Sequence, residues 1–232
     1  LLTHEIRNPL HVITNMVNTI EHTENNDKIQ AIKTSSELLL STVNDLLDTG
    51  SLESGTMRFE NEIFYPLTEV AQIANAQKQW AASKNTVVTL EADNENNIAV
   101  KGDAARLRQV LVNIVSNAIK FTEAGTVTIK AALQENINKY VLHVTVTDTG
   151  AGMSKEMLGR LFKTFSKGEH RASGSGLGLY ICRLITEQQG GEIRVKSTEN
   201  KGSSFYVEIP YEKTEEEITA KKTLMRVTTY AL

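Results

Sequence analysis

Cysteine is almost absent from this chain, which has only Cys182 among its 232 residues. A single thiol excludes an internal disulfide framework and a metal site built from several cysteines, and it suits a reducing cytosol. No stretch approaches the roughly 18 apolar residues that a membrane span needs, and the opening residues do not resemble a signal sequence. The formal net charge of -3 gives no reason to expect nucleic acid as a partner. These absences predict a soluble, cytoplasmic globular chain that does not itself contact a membrane.

The length and the first residue bear on domain organisation. With 232 residues, of which 40% are hydrophobic, the chain can form one large domain or two modest ones. It begins at Leu1 rather than at methionine, in what is already a helical pattern. We therefore expect a portion of a longer protein, whose sensor or membrane-anchoring segments would lie outside it.

The opening of the chain carries two helical patterns. Apolar residues recur at intervals of three and four over residues 1–22 and again over 28–53, and the intervening residues 23–27 are polar. This arrangement predicts a helical hairpin over residues 1–54. Because two helices alone would leave much apolar surface exposed, we expect two copies to pair as a dimeric four-helix bundle.

Strands alternate with helices in the rest of the chain. Predicted strands cover residues 57–64, 86–92, 97–101, 125–133, 139–148, 191–198 and 203–209. Predicted helices cover residues 66–83, 103–121 and 176–189. The predicted fold class is α+β: the hairpin is followed over residues 55–211 by an α/β sandwich, with a sheet on one side and helices on the other. A charged tail or linker is expected over residues 212–232.

The first candidate site lies on the opening helix. His4 falls off the apolar stripe and should face water, where a neutral imidazole is a competent nucleophile toward phosphorus. Glu5 can orient the ring or accept its proton, and Asn8, one turn further on, can position a water molecule. A zinc site of the His-Glu-x-x-His kind is excluded because residue 8 is asparagine. A solvated surface histidine with no function is the alternative interpretation.

The second candidate site lies on the predicted helix 103–121. Asn113, Asn117 and Lys120 recur at spacings of four and three, so they share one face. The opposite, buried face is predicted to consist of Leu107, Val110, Leu111, Ile114, Val115 and Ala118. Amide oxygens suit a magnesium ion that already carries phosphate oxygens and water, and a lysine can neutralise phosphate. The helix is therefore predicted to face a nucleotide, the alternative being an ordinary polar surface.

Two glycine-rich segments are the third and fourth candidate sites. Asp148-Thr149-Gly150-Ala151-Gly152-Met153 follows an apolar strand, where a carboxylate can accept from an exocyclic amine and glycines allow backbone to approach a flat base. Gly174-Ser175-Gly176-Leu177-Gly178 leads into a helix, and exposed backbone N–H groups at a helix start suit phosphates. It is no dinucleotide-binding fingerprint, because no strand precedes it. The polar stretch between these two segments is expected to act as a lid.

The order of these motifs strongly resembles the sensor histidine kinases of two-component signalling. The resemblance rests on a His-Glu-x-x-Asn-Pro helix, an Asn-x-x-x-Asn-Ala-x-Lys-Phe helix, Asp-x-Gly-x-Gly, Phe-x-x-Phe and Gly-x-Gly-Leu-Gly-Leu, and it covers nearly the whole chain. The catalytic domain of that family has the Bergerat (GHKL) fold, shared with gyrase, heat-shock chaperone and mismatch-repair ATPases. The resemblance implies ATP and Mg²⁺ as cofactors, a homodimer formed by the hairpin, and a response-regulator receiver domain as partner.

The resemblance also implies roles for individual residues. His4 would be the phosphoacceptor, Glu5 its general base, Asn8 the residue that supports phosphatase activity, and Lys120 a catalytic contact to phosphates. Magnesium would be held by Asn117 and Asn113. The nucleotide would be contacted by Asn113, Asn117, Lys120, Phe121, Asp148, Gly150, Gly152, Met153, Lys167 as a lid cation, Gly174, Gly176, Leu177, Gly178 and Ser204.

Two other functions remain open at this point. A scaffold that dimerises without turnover is disfavoured because no expected nucleotide or acceptor residue is missing. An enzyme of the same fold that only hydrolyses ATP is disfavoured because related ATPases have a glutamate where this chain has Asn113, and an amide cannot act as a base. The acidic tail would also suit a hybrid kinase followed by a receiver domain.

Overall fold

The computed structural model describes residue 10 and residues 12–15, 26–92, 98–164 and 176–214. Contacts divide the chain into two compact units, one made of residues 1–57 and 160–181, the other of residues 58–159 and 182–232. Among the described residues, no helix combines the length and apolar character needed to cross a membrane.

The first unit is built on the long helix α1, Asn26–Glu53. Residue 10 and residues 12–15, within the predicted first helix of the hairpin, are also helical. Ile29, Leu40 and Leu47 expose 57%, 63% and 65% of their surfaces. Because spacings of eleven and seven residues return to nearly the same side of a helix, these side chains form one exposed apolar stripe. The predicted stripe also begins at Ile29 but continues through residues 32, 36, 39, 43 and 46 rather than through Leu40 and Leu47.

The second unit is organised by a mixed sheet. Its strands within the described residues are β1 Glu62–Phe64, β2 Val87–Ala92, β3 Val100–Gly102, β4 Thr126–Glu135, β5 Lys139–Asp148, β6 Glu192–Thr198 and β7 Gly202–Lys213. The sheet order is β1-β3-β7-β5-β4-β2, and β6 also pairs with β7. All these pairings are antiparallel except that of β2 with β4.

Helices cover the sheet and position the candidate site. They are α2 Pro66–Ser83, α3 Ala104–Lys120 and the single turn α4 Lys155–Leu158, and α5 Gly178–Gln188 begins in the first unit and continues into the second. Helices α2 and α3 pack on each other and on β2, β4 and β5. Alternate residues of β5 are buried along its whole length, which is the pattern of a strand with one face in the core. The predicted α+β class and the sandwich are confirmed.

The start of α3 is fixed by the buried carboxylate of Asp103. Its Oδ1 accepts a hydrogen bond from the Arg106 backbone N–H at 2.9 Å, which caps the helix. Its Oδ2 accepts from the Glu60 backbone N–H at 2.9 Å. One side chain therefore caps the helix that carries the candidate site residues and ties it to the segment before β1.

The structure departs from the sequence-based prediction at a few boundaries. Strand β1 has three residues rather than the eight predicted, and α4, capped by the Ser154 hydroxyl, was not predicted. Strand β7 continues through Glu212 and Lys213, which were assigned to the tail: these residues pair with β3, and Lys213 Nζ lies 2.6 Å from Glu135 Oε1. A charged residue can still extend a sheet through its backbone. The charge of residues 212 and 213 therefore did not indicate where β7 ends. Residues 215–232 lie outside the described residues.

Tyr211 places a hydroxyl in the core without a partner. Its side chain is 3% exposed, and its ring meets that of Phe64 edge-on at a centroid distance of 5.2 Å. Burial, and secondarily the Asp103 carboxylate, raise the pKa of this phenol far above its ordinary range. Among the described residues, none forms a hydrogen bond with the Tyr211 hydroxyl. A buried polar group without a partner costs free energy of folding.

Removing this hydroxyl should stabilise the protein. We expect Tyr211→Phe to raise the free energy of unfolding by about 1 kcal/mol, because it removes the cost of an unsatisfied buried hydroxyl while keeping the ring. Urea denaturation followed by circular dichroism measures this change. Tyr206→Phe, on the same strand but only half-buried, is the matched control and should change stability by less than about 0.5 kcal/mol. A loss of stability in Tyr211→Phe would contradict the assignment of an unpaired hydroxyl.

Candidate functional site

Helix α3 is strongly two-sided. Its apolar side is almost fully buried through Leu107, Val110, Leu111, Ile114, Val115 and Ala118, the six residues predicted for it. Asn113, Asn117 and Lys120 lie on the other side, and all three are half-buried. The helix is thus held by its apolar face, and three hydrogen-bonding or charged side chains lie together on the face that it leaves open.

The C-terminal end of α3 adds an exposed aromatic ring. Phe121, the residue that ends the helix, exposes 46% of its surface, and Lys120 Nζ lies 5.3 Å from the centre of its ring. An ammonium at this distance from an aromatic face is attracted to it. The pair therefore presents a positive charge and a flat apolar surface side by side.

Asp148, at the end of β5, is a buried carboxylate with only 5% of its surface exposed. Its Oδ1 accepts from the Gly150 backbone N–H at 2.9 Å and from the Ser203 backbone N–H at 3.3 Å. Burial raises the pKa of Asp148, and the hydrogen bonds from Gly150 and Ser203 only partly offset that rise. The carboxylate is thus held by two backbone donors at a position where ionisation is costly.

The loop after Asp148 needs glycine because backbone approaches it closely. A Cβ added at Gly150 would lie 2.2 Å from the Phe121 carbonyl oxygen, and one at Gly152, where φ is +66°, would lie 2.0 Å from the Thr198 carbonyl oxygen. The Ala151 N–H also donates to the Phe121 carbonyl at 3.3 Å. The loop is therefore packed against the end of α3 on one side and the β6–β7 turn on the other. Met153, the last predicted residue of this segment, is half-buried.

The serine that contacts Asp148 is Ser203, the neighbour of Ser204, which the sequence assigned to the nucleotide. Ser203 is buried and donates both from its backbone and from its side chain to Asp148. The Ser204 hydroxyl instead lies 2.9 Å from the Thr147 hydroxyl, on the opposite side of the strand. Alternation along β7 could have distinguished the two serines once its register with β5 was known, but the sequence does not give that register. Ser204 as a nucleotide contact stays a prediction.

The second glycine-rich segment belongs to the first unit. Gly176 adopts φ of +72°, a left-handed conformation that favours glycine. Leu177 is buried, and Gly178 is the first residue of α5, two residues after the predicted start. The Ile181 backbone N–H already donates to the Leu177 carbonyl at 2.9 Å. Of the predicted glycines, Gly176 precedes α5 and Gly178 begins it.

Five predicted site residues lie outside the described residues. They are His4, Glu5, Asn8, Lys167 and Gly174. Within the ranges that are described, no cluster of three or more histidine, cysteine, aspartate or glutamate side chains could hold a metal ion.

Two family profiles match the chain. Residues 2–55 match the profile described as His Kinase A (phospho-acceptor) domain. Residues 102–213 match the one described as Histidine kinase-, DNA gyrase B-, and HSP90-like ATPase. The second match contains α3, Asp148 and the glycine loop that follows it. The two matches divide the chain into a helical part and a sheet-containing part.

Individual proteins show the same similarity. The chain is 34% identical over 225 residues to the Sensor protein GacS of Pseudomonas syringae pv. syringae, a match that covers 93% of this chain and 25% of GacS. The chain thus spans about a quarter of the length of this relative.

Solved structures agree with the sequence matches. The catalytic domain of the histidine kinase ThkA superposes with a TM-score of 0.54 at 31% identity, covering 66% of this chain and 98% of that domain. Full-length ShkA in complex with AMPPNP superposes with a TM-score of 0.72 at 25% identity, covering 92% of this chain and 45% of ShkA.

The buried Asp148 should make stability depend on pH. Because its pKa is higher in the folded protein than in the unfolded chain, the folded state keeps the proton to higher pH, and the free energy of unfolding falls as pH rises above about 4. Asp148→Asn carries no charge, so we expect the unliganded variant to be more stable than wild type at pH 7 and to lose this part of the pH dependence. Urea denaturation between about pH 4 and pH 7 measures both effects.

Glu156 provides a contrast of opposite sign. Hydrogen bonds from its own backbone and from Ser154 lower the pKa of the exposed Glu156 carboxyl. Its ionised form is therefore favoured by folding, so Glu156→Gln should lose rather than gain stability above about pH 4. Equal responses of the two variants to pH would contradict the role of burial at Asp148.

Proposed function

This chain belongs to the sensor histidine kinase family, and from that membership we propose that it transfers the γ-phosphate of ATP to His4, and from there to an aspartate of a response-regulator receiver domain. The observation that carries the nucleotide half of this proposal is the buried Asp148 carboxylate next to a close-packed glycine loop, with Phe121 and Lys120 beside that loop. ATP as the donor and the buried free thiol of Cys182 both support a cytosolic location.

Asp148 gives the site its preference for adenine. A carboxylate held by the Gly150 and Ser203 N–H groups has its orientation fixed before the ligand arrives. Such an acceptor suits the exocyclic amine of adenine, and the exposed ring of Phe121 offers an apolar surface to the nucleotide. The ligand in the ShkA complex, AMPPNP, carries the same base as ATP. The cost of burying Asp148 in the unliganded protein would thus be offset by stronger binding of the nucleotide.

The α3 face supplies contacts for the phosphates. Asn113 and Asn117 fit a hard cation whose remaining ligands are phosphate oxygens and water, so these two amides would hold Mg²⁺, which neutralises charge on the triphosphate. Lys120 is placed to contact the phosphates as a second positive charge. Because Asn113 cannot remove a proton from water, hydrolysis should be slow and the phosphoryl group kept for the histidine.

His4 is the acceptor in this proposal, with Glu5 as its base. Phosphoryl transfer requires positioning and charge neutralisation more than covalent chemistry from the protein. Asn8 would position water for removing phosphate from the partner, which gives a phosphatase activity. The exposed stripe of Ile29, Leu40 and Leu47 on α1 supports a homodimer formed through the helical hairpin, since a second copy would cover it.

Autophosphorylation gives a direct test of this function. Wild-type protein incubated with γ-labelled ATP and Mg²⁺ should acquire label that is lost in acid and kept in alkali. His4→Gln should abolish the label while leaving nucleotide affinity unchanged, and His11→Gln, on the same predicted helix, is the matched control that should retain it. Label that persists in His4→Gln would contradict the assigned acceptor. Free phosphate without labelled protein would instead indicate an ATPase, and ATP binding with neither would indicate a scaffold.

Nucleotide affinity tests the role of Asp148 separately. Asp148→Asn should raise the Kd for ATP by about 10- to 100-fold, because a hydrogen bond to a charged acceptor is worth about 1.5–3 kcal/mol and the amide would place a donor against the adenine amine. Displacement of a fluorescent ATP analogue measures the Kd. Since the same variant should be more stable without ligand at pH 7, a loss of affinity cannot be ascribed to unfolding. Unchanged affinity would place the adenine elsewhere.

A further inference from the structure

The last residue of α3 and the short segment after it are held from two sides through their carbonyl groups. We call residues 120–125 the α3 exit turn. Its first three carbonyls each accept a hydrogen bond from another part of the unit: Lys120 O from Lys84 Nζ at 3.0 Å, Phe121 O from Ala151 N at 3.3 Å, and Thr122 O from Thr86 Oγ1 at 3.1 Å. The middle donor belongs to the glycine loop of the nucleotide site. The outer two belong to the connection between α2 and β2.

Backbone hydrogen bonds also join the exit turn to the connection between α2 and β2. The Val87 N–H donates to the Gly125 carbonyl at 2.9 Å, and the Ala124 N–H donates to the Lys84 carbonyl at 3.4 Å. Ala124 itself has φ of +50°, a left-handed conformation that is strained for a residue with a Cβ. Such a conformation persists only where surrounding contacts impose it. Residues 84–87 are therefore part of what gives the exit turn its shape.

Lys84 is well suited to this position. Its ammonium lies 5.9 Å from the centre of the Trp80 ring, one helical turn earlier, while it donates to the carbonyl of Lys120. The C-terminal end of a helix carries partial negative charge, so α3 attracts a cation there. The ammonium is thus held between an aromatic face and a helix end, and it fixes the backbone of the residue whose side chain faces the phosphates.

We propose that Lys84 is a positioning residue of the nucleotide site, which acts through Lys120 and Phe121 without touching the nucleotide. The inference rests on the proposed function and adds to it a residue outside the motifs of the sequence. Without the Lys84 ammonium, the last carbonyls of α3 lose a charged donor and the final turn is free to fray. The Lys120 ammonium and the Phe121 ring, both attached to that turn, then lose their fixed placement toward the phosphates and the base.

A double-mutant cycle separates positioning from general stabilisation. The Kd of a fluorescent ATP analogue with Mg²⁺ is measured for the full chain as wild type, Lys84→Met, Lys120→Met and the double variant. We expect Lys84→Met to weaken binding by about tenfold, the scale set by the loss of one charge-assisted hydrogen bond. In the Lys120→Met background the same change should weaken binding by less than about threefold, because the lysine through which Lys84 chiefly acts is already absent.

Three further measurements distinguish a loss of the Lys84 hydrogen bond from a general effect of mutation on binding or folding. Lys84→Arg should restore affinity to within about threefold of wild type, since guanidinium also donates to a carbonyl and stacks on an aromatic ring. Lys78→Met, an exposed lysine of α2, is the matched control and should leave the Kd unchanged. Thermal melting without ligand checks folding, and if Lys84→Met melts early, Lys84→Gln, a neutral polar side chain with two methylene groups where lysine has four, replaces it in the cycle.

The outcomes for this inference and for the proposed function are distinct. Wild-type-like affinity in Lys84→Met, or effects of the two lysines that multiply in the double variant, would overturn the positioning role while leaving the function intact. No binding of the analogue by wild-type protein would overturn the proposed function and the inference with it. Loss of affinity in Lys84→Met and recovery in Lys84→Arg, together with the reduced effect in the Lys120→Met background, establish the role.

Discussion

The hydrogen bond from Ala151 N–H to the Phe121 carbonyl joins the two halves of the candidate site. One half is the polar face of α3, whose position is set by a buried apolar face and by the Asp103 cap. The other is the loop after Asp148, which can reach Phe121 only because Gly150 has no side chain. Elements about 30 residues apart in sequence are thereby fixed against each other, and the proposed function has an aromatic ring, an ammonium group and a carboxylate serve one ligand.

Backbone of the glycine loop and of β7 lies close to Asp148. A Cβ added at Gly202, where φ is +88°, would lie only 1.9 Å from the Asp148 carbonyl oxygen, so β7 can begin here only with glycine. The Ser203 N–H then reaches the carboxylate itself. Folding thus favours a neutral Asp148, whereas the proposed hydrogen bond from adenine would favour the charged form. A group that destabilises the unliganded protein and strengthens binding is typical of a functional site.

The proposed acceptor and the proposed nucleotide site lie in different parts of the chain. The described part of the first unit has a long helix with an exposed apolar stripe, which is the surface proposed to pair with a second copy. The second unit carries the candidate nucleotide residues on α3, β5 and the loop after β5, and the connection that contains Lys84 contacts the end of α3. Under the proposed function, recognition of the nucleotide and the identity of the acceptor can be altered separately.

Sequence periodicity and the order of the motifs correctly predicted most of the helices and strands of this protein and its family. The bounds of α2 and β5 agree with those predicted, the buried side of α3 consists of the predicted residues, and the order of motifs identified the family. These features are local, since spacing along one helix or strand dictates which residues share a face. Only the tertiary structure placed Ser203 rather than Ser204 against Asp148, extended β7 through Lys213 and brought Lys84 to the end of α3. Each of these depends on strand register or on contact between distant segments, which no local pattern of residues specifies.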